Sequence, residues 1–554
     1  MPAITPINLT CQVFSIQFAM SSPQVAAIAA VGVATAVFLL RRLLQVKPFI
    51  PSLKMSVHLH RIFFGAGELF NSVEGLGRIT FDEADDNGMC QFYVMGARCI
   101  SVLKAEHIRT VVLASNFRQR VPLFDEYVDA IVGTKSLVQV MGHEWKLHRK
   151  LISRAFGWQN LASMAPAMGS IAHEFASHLL ATQASSKFDV FPMLKLATLD
   201  IIGTNCNPVS HSNPQTMPCI SAILFLGATA FGASFGAIQH TTNHPVVEAF
   251  TFLLDDMNRR AIDEPLHPSS MFYWLPTAAN RMHRQQTAIL RRTIDDLVAS
   301  RLHHPPANDD SQGKKPHHDL LQYMVDAAAA AAHNEDASGG VTPQSFADNL
   351  LTFLFAGYDT TSIALAYTLH LLAAHPQVQD KVVAEIQAVL GADTAPTCDT
   401  VSSLTFCAAV VTESVRLFPP VLVTMRSLEA DLHVGGHRVP KGTNVMLPIY
   451  WIHRYEGNWG ADAAAFRPER HLDEIYGKDK AFRMMAFSAG PRNCVGMRFA
   501  MMEAVIVLAV VLRRCRFSLP TDAPPVRPVV AGLVQKPEHG IWLHVQPRES
   551  APAL

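Results

Sequence analysis

The chain has 554 residues, 49% of them hydrophobic and 17% charged, and its 46 basic and 46 acidic side chains give a formal net charge of zero. That composition supports a sizeable core and excludes disorder for most of the chain, while the balanced charge, with no basic run interleaved with aromatics, excludes nucleic acid as a partner. The nine cysteines are irregularly spaced and contain no CxxC pair, which argues against a disulfide framework or a zinc site and for a reducing compartment.

No Asp, Glu, Lys or Arg precedes Arg41, and Val25 to Leu40 is an uncharged, helix-compatible run. With Leu43 and Leu44 added and Arg41 and Arg42 snorkelling, residues 25–44 are long enough for a transmembrane helix. Arg41, Arg42 and Lys47 follow it, which places the rest of the chain in the cytosol and disfavours a cleaved signal or a mitochondrial presequence. Lys47 to Pro51, KPFIP, reads as a stiff hinge. We therefore expect an N-terminal segment, 1–47, carrying the anchor, and one large catalytic-sized domain, 48–554.

The body is mostly helical in pattern. Asp82 to Arg98 contains one hairpin candidate, GMCQFYVMG, and from Ala105 to about Ala299 amphipathic segments are punctuated by prolines. HEWKLH (His143 to His148) and HEFASH (His173 to His178) resemble zinc-protease motifs, but their histidines fall five apart, on different helix faces. The stretch His303 to His318 is a polar surface loop, and Ala327 to Ala332 opens a low-complexity excursion. A long helix then begins at the cap Thr342 and Pro343 and runs to about Ala374, where His375 and Pro376 stop it. Helices continue to Arg416, short strands and loops follow Pro419 and Pro420, a last helix starts around Cys494, and the tail from Phe517 to Arg548 has strand character. The class is mainly α with a small β portion.

Two strings carry chemistry. In FSAGPRNCVG, Phe487 to Gly496, Cys494 stands at a helix start, where unpaired N–H groups and the positive dipole end favour a thiolate. Gly490 and Gly496 would let the backbone approach a flat cofactor, Arg492 is a donor fork suited to a carboxylate, and Phe487 would shield the sulfur. In AGYDTT, Ala356 to Thr361, Gly357 would leave room for a diatomic ligand, and the Thr360 hydroxyl with the Asp359 carboxylate beside it could relay protons. Glu413 and Arg416, in ESVR, share a helix face. The sequence has no GxSxG elbow, Walker loop or dinucleotide fingerprint, so reducing equivalents would come from another protein.

Together these strings resemble the cytochrome P450 family. FSAGPRNCVG matches every specified position of the family's FxxGxRxCxG loop. AGYDTT matches its oxygen-activation motif, ESVR and FRPER (Phe466 to Arg470) its Glu, Arg and PER segments, and WKLHR (Trp145 to Arg149) its WxxxR helix. The matches occur in the family's order, and the resemblance covers Pro48 to Arg548. It implies the P450 fold with a long central helix, and haem b with Cys494 as the axial iron ligand. Trp145, Arg149, Arg492 and Arg426 would bind its propionates; Glu413, Arg416 and Arg470 would form a buried structural network. His471 stands where the family more often has an aromatic. Family geometry would line the pocket with Phe353, Ala356, Leu422, Val423, Leu533 and Val534, all apolar, suiting a fatty acyl, sterol or terpenoid-like substrate.

The activity implied is a monooxygenase using O2, with electrons from an NADPH-cytochrome P450 reductase. The reductase's acidic face would meet Lys146, Lys150, Arg154 and Arg498. The implied location is the endoplasmic reticulum membrane, with a single-pass anchor. Two other readings stay open. One is a haem-thiolate isomerase or dehydratase acting on an oxygenated lipid without O2, against which Asp359 and Thr360 count; the other is a non-catalytic haem-binding protein.

Overall fold

The computed structural model describes residues 84–94, 97–115, 128–183, 186–203, 244–260, 274–303, 342–391, 394–472 and 479–548, with residues 50, 77, 80–82 and 272. All of these lie in one unit, Ile50–Leu554. The expected anchor, 25–44, and the loop and alanine run between 304 and 341 lie outside the described residues. Among those described, no helix is long and apolar enough to cross a membrane.

Helices dominate. In chain order they are α1 (Ala105–Ala114), α2 (Gly142–Ala155), α3 (Trp158–Gln183), α4 (Val190–Gly203), α5 (Pro245–Asn258), α6 (Ala278–His303), α7 (Pro343–Ala374), α8 (Pro376–Leu390), α9 (Cys398–Ser403), α10 (Thr405–Leu417) and α11 (Met497–Arg514), with one-turn helices between α10 and α11. The 32-residue α7 has the ends its sequence announces. Thr342 and Ser345 form a reciprocal capping box, Pro343 fills the first turn, and the chain leaves the helix at His375. Twenty-four of its residues are buried, so it is a core helix with neighbours all round: α4, α6, α8, α10 and α11 pack against it. Its tightest neighbour is α4. A Cβ on Gly357 would lie 2.5 Å from Ile202 Cδ1, so the space that glycine leaves is taken by α4 and is not kept for a diatomic ligand. Glu385 of α8 caps α10 by accepting from the N–H groups of Phe406 (2.7 Å) and Cys407 (2.8 Å).

The β portion is small. Strands β1 (Met89–Val94), β2 (Ala97–Val102), β7 (Asn444–Leu447) and β4 (Thr424–Ser427) form one sheet in that order. GMCQFYVMG therefore supplies a single strand, β1, and the second strand of the hairpin is β2, in register Met89 with Val102. Strand β2 pairs with β7 in parallel, Cys99 opposite Asn444, and β4 closes the sheet antiparallel to β7. Strands β5 (Leu432–Val434) and β6 (His437–Val439) make a hairpin, as do β9 (Pro528–Ala531) and β10 (Val534–Pro537). Strand β11 (Trp542–Pro547) lies between β3 (Phe188–Asp189) and β8 (Cys515–Ser518).

Candidate active site

The cysteine loop is held by its own backbone. The Cys494 N–H donates to Phe487 O (2.8 Å) and the Asn493 N–H to Gly490 O (3.1 Å), and α11 begins at Met497, just beyond the sulfur. Gly490 has φ +72°, and a Cβ there would lie 3.0 Å from Val112 O of α1, so this glycine serves a tight turn and a close approach to α1. Gly496 acts differently. Its φ is ordinary, and a Cβ would sit 3.9 Å from Cys494 Sγ and 3.7 Å from the Phe156 ring, so glycine keeps the flank of the sulfur open. Ser488 is the one non-glycine with positive φ (57°) among the described residues, a mark of strain inside this loop. Of the six described cysteines, all free, only Cys494 is exposed. One side of it is open while the dense protein behind raises its thiol pKa, against the Gly496 N–H and Arg149, which lower it.

Cations converge on the same loop. Arg149 of α2 donates to Asn493 O (2.6 Å) and Asn493 Oδ1 (2.7 Å). Arg426 of β4, nearly buried, donates to Ser488 Oγ (3.2 Å), Met425 O (2.9 Å) and Thr424 Oγ1 (3.2 Å). Arg492 donates to Val140 O (3.0 Å) and lies over the buried Trp145 ring, 4.3 Å from its centroid. Burial lowers the pKa of both Arg149 and Arg426, yet neither faces a carboxylate among the described residues. An accessible sulfur beside two desolvated guanidiniums without anionic partners is a donor set that fits a thiolate-ligated haem with two propionates.

The turn Ala356 to Thr361 meets this site from α7. Ala356 is exposed and Thr360 half-exposed, one turn apart on a helix otherwise mostly buried. The Thr360 hydroxyl donates to Ala356 O (2.6 Å). Phe156 connects the two regions, with an edge contact to Phe353 of α7 (5.8 Å) and another to Phe499 of α11 (6.4 Å). Asp359 does not join Thr360. It is buried on another face of α7, with Oδ1 2.9 Å from Lys195 Nζ of α4. The six expected pocket residues are likewise divided. Val534 lines a cleft with Lys195 and Asp359 whose walls do not include Ala356, Leu422 and Phe353 are buried, and Val423 and Leu533 are half-buried.

The structural network closes as a set. Glu413 accepts from Arg416 Nε (2.7 Å) and Nη2 (2.8 Å), from Arg470 Nε (2.9 Å) and from the Arg467 N–H (2.9 Å). These donors hold its carboxyl down at about 2 despite burial. His471 Nε2 stands 2.8 Å from Glu413 Oε2, so the residue that departs from the family's aromatic is a further member.

The cytochrome P450 family model matches residues 86–544. The chain belongs to the cytochrome P450 family. Among its relatives, 11-oxo-beta-amyrin 30-oxidase of Glycyrrhiza uralensis is 29% identical over 415 residues, 74% of this chain and 72% of that protein. Cytochrome P450 4V2 of Mus musculus is 27% identical over 453 residues, 81% of this chain and 80% of that protein. A cytokinin hydroxylase of Arabidopsis thaliana is 39% identical over 204 residues, but that match spans only 37% of this chain and 39% of the hydroxylase.

Sequence reasoning missed two residues of this P450 site. His453 is fully buried, donates from Nδ1 to Arg416 O (2.9 Å) and accepts at Nε2 from the Met485 N–H (2.8 Å), which fixes its tautomer. It joins the Glu413 network to the entry of the cysteine loop, and burial lowers its pKa to about 3. Lys195 is the other, and no motif marks it. Of the residues nominated for a redox partner, Lys146, Lys150 and Arg154 are exposed along one stripe of α2, and Arg498 is exposed at the start of α11.

Proposed function

We propose that this cytochrome P450 is a monooxygenase that inserts one oxygen atom of O2 into a lipophilic molecule of the fatty acyl, sterol or terpenoid-like kind. The observation that carries the reading is the exposed Cys494 thiol flanked by the carboxylate-free Arg149 and Arg426. Haem b, when bound, supplies the activation of dioxygen and the oxidation of an unactivated C–H bond. Cys494 would hold it from the α11 side, while Arg149, Arg426, Arg492 and Trp145 would hold its propionates. Gly496 keeps the sulfur flank clear, and Phe487 accepts the Cys494 N–H at the carbonyl that opens the loop.

Thr360 is the chain's proton donor on the open face of α7, its hydroxyl accessible and only locally bonded. Its accessibility favours the monooxygenase over an isomerase or dehydratase that needs no proton delivery. The exposed stripe Lys146, Lys150 and Arg154, with Arg498, suits the acidic face of an NADPH-cytochrome P450 reductase. The names of two relatives, an amyrin oxidase and a cytokinin hydroxylase, support an oxidation reaction. The uncharged run Val25 to Leu40, followed by Arg41 and Arg42, supports attachment to the endoplasmic reticulum membrane with the catalytic domain in the cytosol.

The test is the absorption spectrum of the dithionite-reduced protein under carbon monoxide, followed by NADPH consumption with a reductase. A strongly red-shifted Soret band, lost in Cys494→Ala, is expected. An unshifted band in the unaltered protein would refute thiolate ligation, and an intact band without reductase-dependent turnover on any lipophilic substrate would favour the non-catalytic reading.

A further inference from the structure

Gln535 of β10 is a fully buried amide with a partner at both ends. Its Oε1 accepts from the Tyr367 hydroxyl of α7 (3.0 Å), its Nε2 donates to Pro419 O (3.1 Å), and its backbone N–H donates to Pro420 O (2.9 Å). One residue thus joins three segments far apart in sequence: the C-terminal half of α7, the paired-proline turn after α10, and the β9–β10 hairpin. The two prolines bring no N–H to that turn, and both of their carbonyls go to Gln535. Leu422 and Val423 follow the turn directly, with Leu422 O accepting from the Tyr450 N–H (3.3 Å). On the hairpin, Leu533 and Val534 directly precede Gln535, and Asn258 of α5 pins the bend by donating to Val530 O (2.7 Å) and accepting from the Gly532 N–H (2.9 Å). Tyr367 belongs to the stripe of α7 that is open at Ala356 and Thr360. Seven residues make nearly two full turns, so it points the same way as Thr360, about 10 Å further along the axis. There the stripe is closed: Tyr367 is fully buried, its ring stacked on Phe418 with 4.3 Å between centroids and 6° between planes.

We infer that Gln535 is a positioning residue for specificity. It fixes the paired-proline turn and the β9–β10 hairpin against the closed end of the α7 stripe, and so sets the size and shape of molecule that reaches the open face at Thr360. The inference rests on the reading of Leu422, Val423, Leu533 and Val534 as pocket walls and deepens it. An apolar side chain at this place would fill the space without choosing an orientation, whereas the amide binds in two set directions and fixes how the walls stand to one another. Its loss leaves the Tyr367 hydroxyl and the Pro419 carbonyl buried without partners, and the relief of that cost moves the proline turn, carrying Leu422 and Val423 with it. None of the hydrogen bonds of Gln535 goes to the cysteine loop or to Arg149 and Arg426, so the site beside Cys494 is left as it was.

The test uses the full-length holoprotein and needs no turnover. Two nitrogen ligands of haem iron are titrated and read by the Soret shift: imidazole, which fills only the space at the iron, and clotrimazole, whose triaryl body must fit between the pocket walls. Gln535→Leu, with Gln535→Met as its substitute if it does not fold, is expected to shift the ratio of the clotrimazole to the imidazole dissociation constant by about tenfold, with imidazole binding itself unchanged. Tyr367→Phe, which keeps the ring on Phe418, is expected to shift the ratio in the same direction by less. Combined with Gln535→Leu it should add nothing, since the bond it removes is already gone. A native ratio in the Gln535 variant overturns the inference, because the walls then stand without the amide. Equal weakening of both ligands also overturns it, because the amide then serves only the stability of the fold. If imidazole does not shift the Soret band of the unaltered protein, the haem-thiolate reading itself falls, and the positioning role falls with it.

Discussion

Glu413 and Asp359 are both buried carboxylates on core helices, and the protein treats them oppositely. Glu413 is met by nitrogens from Arg416, Arg467, Arg470 and His471, all at 2.7 to 2.9 Å, so every lone pair it has is directed. Asp359 has a single ammonium near one oxygen. Directional donors on every side fix the orientation of Glu413, whereas the lone ammonium beside Asp359 balances its charge and leaves its orientation to packing.

The comparison breaks most visibly at Glu413. Glu413→Ala leaves the fully buried Arg416 without its counter-charge and Arg470 with Asp462 alone, and should cost about 3–5 kcal/mol in thermal or denaturant unfolding of the holoprotein. If that variant unfolded like the unaltered protein, the network would be ornamental.

Acid should act on the same region. His453 is kept neutral down to about 3 in the folded protein, against an ordinary value of 6.5, and Glu413 is kept ionised down to about 2, against 4.5. Both shifts mean that the unfolded chain binds protons more readily, so stability falls as pH drops below about 6.5, falls more steeply below about 4.5, and has lost both contributions by about pH 2. A melting temperature flat from pH 7 to pH 4 would contradict this.

On the loosely held side, Thr360→Ala removes one hydroxyl from an accessible position. It should keep the carbon monoxide band and the melting temperature while lowering product per electron pair by roughly tenfold and raising hydrogen peroxide. Fully coupled turnover would remove Thr360 from proton delivery. The smallest effect is expected for His471→Phe, which restores the family's usual aromatic and loses one contact to Glu413. A cost of about 1.5 kcal/mol is expected.

The ends of α7 were legible because Thr342, Pro343, His375 and Pro376 act through local chemistry that a sequence displays. Cys494, Arg149 and Arg470 were legible because their spacings are written as strings. Lys195, His453 and Ile202 were not, since each lies outside any motif and meets its partner in AGYDTT or ESVR across more than 30 residues. The facing of Asp359 lay between these cases. Consecutive helix residues diverge by about 100°, so Asp359 and Thr360 could not both point into one cleft, and the open stripe at Ala356 and Thr360 chose between them.

The parallel pairing of β2 with β7 carries a consequence for synthesis. Cys99 cannot find Asn444 until the chain between them has emerged, and at about 5–20 residues per second that takes roughly 17–70 s on the ribosome. For that interval the inner edge of β2 is an unpaired strand edge, and α4 waits for α7 and α3 for α11 in the same way. Truncating translation before Asn444 should leave the β1–β2 hairpin with an open edge on which nascent chains can pair.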